Sequence, residues 1–170
     1  AGLFHLAEIK TDDVVLVSAA SGAVGPMVGQ IAKIQGCRVI GIAGSLEKCA
    51  WLMDVARFDG CINYKSENLV EAIKRECPDG IDIYFDNVGG DILETVLFCI
   101  NINARILLCG GISSGYDANR LPAGPRNLFS LIIKRATMQG FLVLDYIPQS
   151  QKALEEIATW VMEGKLKHRE

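Results

Sequence analysis

The run Val14-Val15-Leu16-Val17-Ser18-Ala19-Ala20-Ser21-Gly22-Ala23-Val24-Gly25-Pro26 constrains this chain more than any other stretch. A β-branched apolar segment stops at small residues, and a helical pattern opens directly behind it. That order describes a buried strand feeding a phosphate-binding turn. Gly22 lets backbone approach a pyrophosphate, and Gly25 lets the next helix pack closely on the strand. The helix N-terminus supplies free N–H groups and the positive end of its dipole. The usual dinucleotide spacing is G-x-G-x-x-G, with Ala20 here in the place of the first glycine.

The rest of the chain alternates strand and helix. Ala23 to Gln35 reads as a helix with Pro26 tolerated in its first turn, and Arg38 to Ala43 as a second strand. Ser45 caps a helix from Leu46 to about Val55, and Cys61 to Tyr64 is a short third strand. Ser66 is the expected cap of a third helix ending at Lys74-Arg75. Ile81 to Asp86, Arg105 to Cys109 and part of Thr137 to Leu144 complete six strands. Asp91 to Ile100, Asn127 to Arg135 and Ser150 to Glu163 are the remaining helices, and Gly111 to Pro125 is a loop. Near-continuous apolar strands joined by helices predict an α/β fold, a doubly wound parallel (Rossmann) sheet of six strands with helices on both faces. Ligands of such sheets sit beyond the strands' C-terminal ends. Residues 1–12 read as an entry helix and linker, and the whole chain, 1–170, as one domain belonging to a longer protein.

Composition excludes several classes. A net charge of −3 gives no basic face for nucleic acid. Val14 to Ala32 carries no formal charge, but Ser21-Gly22, Gly25-Pro26 and Gly29 break it into strand and helix, against a membrane span. The six cysteines, Cys37, Cys49, Cys61, Cys77, Cys99 and Cys109, stand singly, and His5 and His168 lie at opposite ends. No metal site is expected, and unpaired thiols within apolar runs point to a reducing, cytoplasmic setting.

The strand ends carry the candidate chemistry. About 20 residues past the glycines, an Asp or Glu would meet a free ribose hydroxyl. Here stand Ala43, Gly44 and Ser45, with Lys48 one turn further on. An acid there would repel a ribose phosphate, whereas Lys48 neutralises one, which favours NADP; without the upstream glycines, Ser45 reads better as just a helix cap and Lys48 as just a solvated lysine. Tyr64 closes the third strand, where it either reaches the same phosphate or serves as a structural tyrosine. Asp86-Asn87-Val88-Gly89-Gly90 and Cys109-Gly110-Gly111-Ile112-Ser113 are each explicable as turns. Three glycine-rich ends on one sheet edge favour a binding crevice.

Together these motifs, with Glu47-Lys48, Asn63-Tyr64-Lys65, Tyr84-Phe85, Gly140-Phe141-Leu142-Val143 and Glu163-Gly164-Lys165-Leu166, resemble the medium-chain dehydrogenase/reductase superfamily. More closely they resemble its zinc-independent alkenal, leukotriene and prostaglandin reductase branch. The resemblance implies NADP as cofactor and reduction of the conjugated C=C bond of small enones or enals. It places Gly22, Ala23, Val24 and Gly25 at the pyrophosphate, Lys48 and Tyr64 at the ribose phosphate, with Ser45 beside them. Asn87, Cys109, Gly110, Gly111, Ile112, Ser113, Phe141, Leu142 and Val143 would surround the nicotinamide half. It also implies an N-terminal catalytic lobe and a C-terminal segment outside this chain, and a homodimer through an apolar sheet edge around Phe141 to Leu144. The tyrosine that some mammalian members carry eight residues before the position of Phe141 corresponds here to Ile133. The proton donor is therefore unassigned, and Tyr116 is the loop residue chemically able to serve. Rival readings are a quinone reductase of the same superfamily, an S-adenosylmethionine methyltransferase and a non-catalytic nucleotide-sensing module. A methyltransferase normally has an acid at the end of the second strand, which Gly44-Ser45 lacks. A P-loop phosphotransferase is excluded because no Gly-Lys-Ser/Thr follows the first strand.

Overall fold

The computed structural model describes residues 2–115 and 124–167. Tyr116 and His168 lie outside the described residues. Six strands form one parallel sheet: β1 (Val14–Val17), β2 (Arg38–Ala43), β3 (Gly60–Asn63), β4 (Ile81–Asp86), β5 (Ile100–Leu108) and β6 (Thr137–Gly140). Their order is β3-β2-β1-β4-β5-β6, so the sheet reverses direction between β1 and β4. In this topology a ligand crevice opens at that reversal, beyond the strand C-termini.

Side-chain alternation divides the core between the two faces. Val15, Val17, Val39, Ile83 and Phe85 pack with residues of α1 (Gly25–Ile34) and α2 (Leu46–Asp54). Val14, Leu16, Ile40, Ile42 and Tyr84 pack with residues of α3 (Leu69–Glu76) and α4 (Gly90–Leu97). Two glycines set the packing depth on the first face. A Cβ on Gly29 would run into the Phe58 ring, and one on Gly41 would lie 2.9 Å from the Ala20 Cβ. Phe58 therefore occupies room that α1 and β2 vacate for it.

Several boundaries differ from the sequence expectation. The entry segment is a π-helical turn, Gly2–Leu6, that buries Gly2 and Leu3. α1 begins at Gly25, not Ala23. α3 is capped by Asn68, whose side chain accepts from the Glu71 N–H at 3.2 Å, while the Ser66 hydroxyl instead donates to the Asn63 carbonyl. β5 begins at Ile100, because α4 stops at Leu97 and the chain re-enters the sheet at once. The sixth strand ends at Gly140, so Phe141 to Leu144 is not an edge strand. Before this strand comes α5 (Phe129–Lys134), and after it a 3-10 segment, Val143–Gln149, then α6 (Ser150–Met162).

The cysteines require a further correction. Cys49 of α2 and Cys61 of β3 form a disulfide, although nothing in their spacing marks them as partners. Cys37, Cys77, Cys99 and Cys109 remain thiols. The C-terminal segment closes on α1 through Gln30, a buried amide that accepts from the Lys167 N–H at 2.6 Å and donates to the Lys167 carbonyl at 2.8 Å.

Candidate functional site

The crevice is organised by a buried carboxylate at the reversal point. Asp86, fully buried at the end of β4, accepts through Oδ1 from the Tyr84 hydroxyl (2.8 Å), the Ser18 hydroxyl (2.9 Å) and the Val88 and Gly89 N–H groups (3.0 Å each). Ser18 stands at the end of β1, and its hydroxyl also accepts from the Asn87 N–H at 2.9 Å. The Asn87 side-chain amide donates to the Ser18 carbonyl at 2.7 Å. Burial, and after it the negative charge of Asp86, pushes the Tyr84 hydroxyl well above its ordinary value, so it stays a donor. A charged acceptor with four donors fixes both the β1–β4 junction and the turn that carries Asn87.

The neighbouring strand end is tied to this junction. Cys109 and Gly110 N–H groups donate to the Asp86 carbonyl, Ile112 N–H to Asn87 and Ser113 N–H to Val88. Gly89 and Gly90 lie at φ +72° and +58°, and a Cβ on Gly90 would sit 3.0 Å from Ser113 Oγ. Glycine is required there by conformation as well as by space. Cys109 is half-buried, and burial with the nearby Asp86 charge raises its thiol above the ordinary range. It is a neutral wall, not a thiolate nucleophile.

Across the junction, the β1–α1 turn presents its backbone. Ala19 takes a left-handed conformation (φ +46°), and its carbonyl accepts from the Gly22 N–H at 3.0 Å. A Cβ on Gly25 would stand 2.6 Å from that carbonyl oxygen and from Ala20 Cα. Helix α1 can start here, so close to β1, only with glycine at this position. Gly22 tolerates a Cβ better, at 3.2 Å from the Ala19 oxygen.

Two clefts result. The larger, of about 590 Å³, runs from Ser21 and Gly22 past Gly44 to Lys48, Tyr64 and Lys65, with Ile112 and Ser113 on another wall. The smaller, of about 220 Å³, is lined by Gly22, Ala23, Val24, Gly25, Asn87, Cys109, Gly110 and Ile112. Most of the residues expected to bind cofactor therefore meet in two clefts that share Ala19, Gly22 and Ile112. Ser45 does not line either one: its hydroxyl caps α2 by accepting from the Lys48 N–H at 3.3 Å. Gly111 stays in the turn, its carbonyl accepting from the Ser114 hydroxyl at 2.6 Å. Phe141 packs edge-to-face on Phe85, with ring centroids 5.9 Å apart, while Leu142 and Val143 are exposed. None of these three lines the described clefts.

The larger cleft also includes Lys65 and Asp91, to which the strand-end reading assigned no role. Lys65 was marked by its place beside Tyr64. Asp91 carries no such mark, being one of many acids in a helix's first turn. The polar ends of two apolar strands, Ser18 and Asp86, were the available signal for the buried network.

The zinc-binding dehydrogenase family profile matches residues 23–159, most of the chain. The chain belongs to the zinc-binding dehydrogenase family. Among relatives of this zinc-binding dehydrogenase domain, prostaglandin reductase 1 of Oryctolagus cuniculus is 46% identical over 171 residues, which cover 99% of this chain and 48% of the relative. The NADP-dependent 2-alkenal reductase of Nicotiana tabacum is 48% identical over 167 residues, covering 98% and 48%. The crystal structure of CurA from Vibrio vulnificus in complex with NADPH superposes with a TM-score of 0.90 at 44% identity, covering 99% of this chain and 51% of that one. The chain thus spans about half the length of the curated relatives it matches. The relatives agree with the branch that the motifs resemble.

The family's name implies zinc, and the described residues do not fit it. Among them no group of three or more His, Cys, Asp or Glu side chains could hold a metal ion. A nicotinamide dinucleotide fits better. Glycine-lined backbone at the start of α1 could hold a pyrophosphate, and Lys48 and Tyr64, which line the neighbouring cleft, could hold a phosphorylated ribose. Among the described residues no helix is long and apolar enough to cross a membrane.

Proposed function

We propose that this chain is the NADP-binding domain of a zinc-independent reductase acting on the conjugated C=C bond of small enones or enals. The observation carrying this reading is the second strand's end. β2 runs out into Gly44 and Ser45 with no acid at its end, and Gly44, Lys48 and Tyr64 line the same cleft. Bound there, the nicotinamide supplies a hydride. Gly22 to Gly25 hold the pyrophosphate at the start of α1, Lys48 and Tyr64 take the ribose phosphate, and Asn87 with Cys109 and Gly110 borders the nicotinamide half. Phe141, Leu142 and Val143 line neither cleft, and no contact with the cofactor is assigned to them. Prostaglandin and alkenal reductase relatives above 45% identity favour the enone reading over a quinone reductase, whose solved example from Escherichia coli is 28% identical.

A homodimer through the β6 side of the sheet belongs to the same reading. β6 pairs only with β5 among the described residues, and Phe129, Ile132, Ile133, Leu142, Val143 and Leu144 near it are exposed apolar side chains. A cytoplasmic setting rests on the four free thiols, since Cys49 and Cys61 are bonded. The decisive experiment is Lys48→Ala titrated with NADPH and NADH by nucleotide fluorescence. NADPH binding is expected to weaken about tenfold, the worth of one partly exposed charge-assisted contact, with NADH unchanged. Equal loss for both nucleotides overturns the phosphate role.

A further inference from the structure

Lys65 follows Tyr64 in the turn beyond β3, and its side chain does not extend away from the fold. A Cβ on Gly44 would lie 3.2 Å from Tyr64 Cε1 and 3.3 Å from Lys65 Cε. Both side chains therefore fold back over the end of β2. The last methylene of Lys65, and with it the ammonium, is thereby brought to the cleft beside Gly44. Lys48 enters the same cleft from the first turn of α2. The turn presenting Lys65 is itself fixed. Its N–H donates to Oδ1 of the buried Asn63 at 3.3 Å, and the Asn63 N–H donates to Glu67 at 2.9 Å. Glu67, the acid nearest in this turn, is ion-paired with Arg75 at 2.7 Å. Among the described residues, neither Lys48 nor Lys65 is in an ion pair.

Two ammonium groups held on one cleft from two elements repel each other, and among the described residues lining that cleft only Asp91, in the first turn of α4, carries the opposite charge. A phosphate monoester with close to two negative charges at neutral pH matches that pair better than a single lysine would. We infer that Lys65 is a second specificity-determining cation for the ribose phosphate, forming with Lys48 a two-lysine clamp across Gly44. This rests on the NADP reading above. Tyr64 then supplies a hydroxyl donor beside the cations, and the missing side chain of Gly44 is what lets the Tyr64 and Lys65 side chains fold over the end of β2.

The test uses the 170-residue chain and its Lys65→Ala, Lys65→Arg, Lys48→Ala and doubly substituted forms. Each is titrated with NADPH and NADH at low and high salt, with urea midpoints as a folding control. Lys65→Ala is expected to weaken NADPH about tenfold, as for Lys48, leave NADH within about twofold, and flatten the salt dependence of NADPH binding. Lys65→Arg should retain the preference, and the double variant should bind both nucleotides alike. If Lys65→Ala binds NADPH as the parent does while Lys48→Ala loses it selectively, the clamp is refuted and the NADP reading stands. Equal weakening of both nucleotides by Lys65→Ala also refutes it. If the parent shows no preference for NADPH, the NADP reading fails and the clamp with it.

Discussion

Removing the Asp86 carboxylate should destabilise the chain more than any other single polar change in the crevice. Asp86→Ala strands four donors that now point at one oxygen: the Ser18 and Tyr84 hydroxyls and the Val88 and Gly89 N–H groups. At about 1 kcal/mol for each unsatisfied donor, the loss is about 4 kcal/mol, a large share of a typical domain's stability. Tyr84→Phe removes one donor and leaves the carboxylate three, so it should cost about 1 kcal/mol. Ser18→Ala removes a hydroxyl that serves both Asp86 and Asn87, so it should cost about twice that and loosen the Asn87 turn. The assay is urea unfolding at neutral pH, read from midpoints at constant slope. Tyr84→Phe combined with Asp86→Ala should cost less than the sum, because the phenol is stranded only while the carboxylate is missing. An Asp86→Ala midpoint within 1 kcal/mol of the parent would refute the network as the crevice's anchor.

Other expectations concern the remaining features. Gly25→Ala should lower both stability and NADPH affinity, since a Cβ 2.6 Å from the Ala19 oxygen must push α1 off β1; a parent-like midpoint would contradict this close approach. Reducing the Cys49–Cys61 disulfide, which closes a 12-residue separation, should cost about 3 kcal/mol on the chain-entropy account. Urea midpoints with and without reductant measure this, and the effect should vanish in a Cys49→Ser, Cys61→Ser variant. Burial pushes the Cys37 thiol up to about 11 and that of Cys77 up to about 12 from 9.0. The unfolded chain sheds these protons first, so stability should be level below pH 9 and fall as pH rises through 11 and 12. A Cys37→Ala, Cys77→Ala variant should flatten that fall; an unchanged slope would assign it elsewhere. The 170-residue chain should reduce no enone by itself. Measurable turnover would show that it contains the full catalytic site.

The sheet was legible because its strands are apolar runs between turn residues; β2 and β4 match the sequence reading residue for residue, and β1 opens at the Val14 that heads the apolar run. Boundaries failed where two side chains could do one job. Ser66 and Asn68 are both competent caps, and tertiary position gave the cap to Asn68. Phe141 to Leu144 is apolar enough for a strand, yet hydrogen bonding to β5 continues only as far as the Phe141 N–H. Gly22, Gly25 and Lys48, which line the clefts, were readable from spacing, whereas the place of Lys65 on the larger cleft was not. The Ser18–Tyr84–Asp86 network was not, because Ser18 lies 68 positions from Asp86 and meets it only once β1 and β4 pair. The Cys49–Cys61 disulfide was unreadable for the same reason: it depends on how α2 lies against β3.

The central claim is that the cleft at the end of β2, with the cations that line it, selects a phosphorylated ribose. Parallel titration of the unmodified chain with NADPH and NADH tests it most directly. NADPH should bind at least about tenfold more tightly, with the difference shrinking as salt rises. Equal affinities, or tighter binding of NADH, would contradict it.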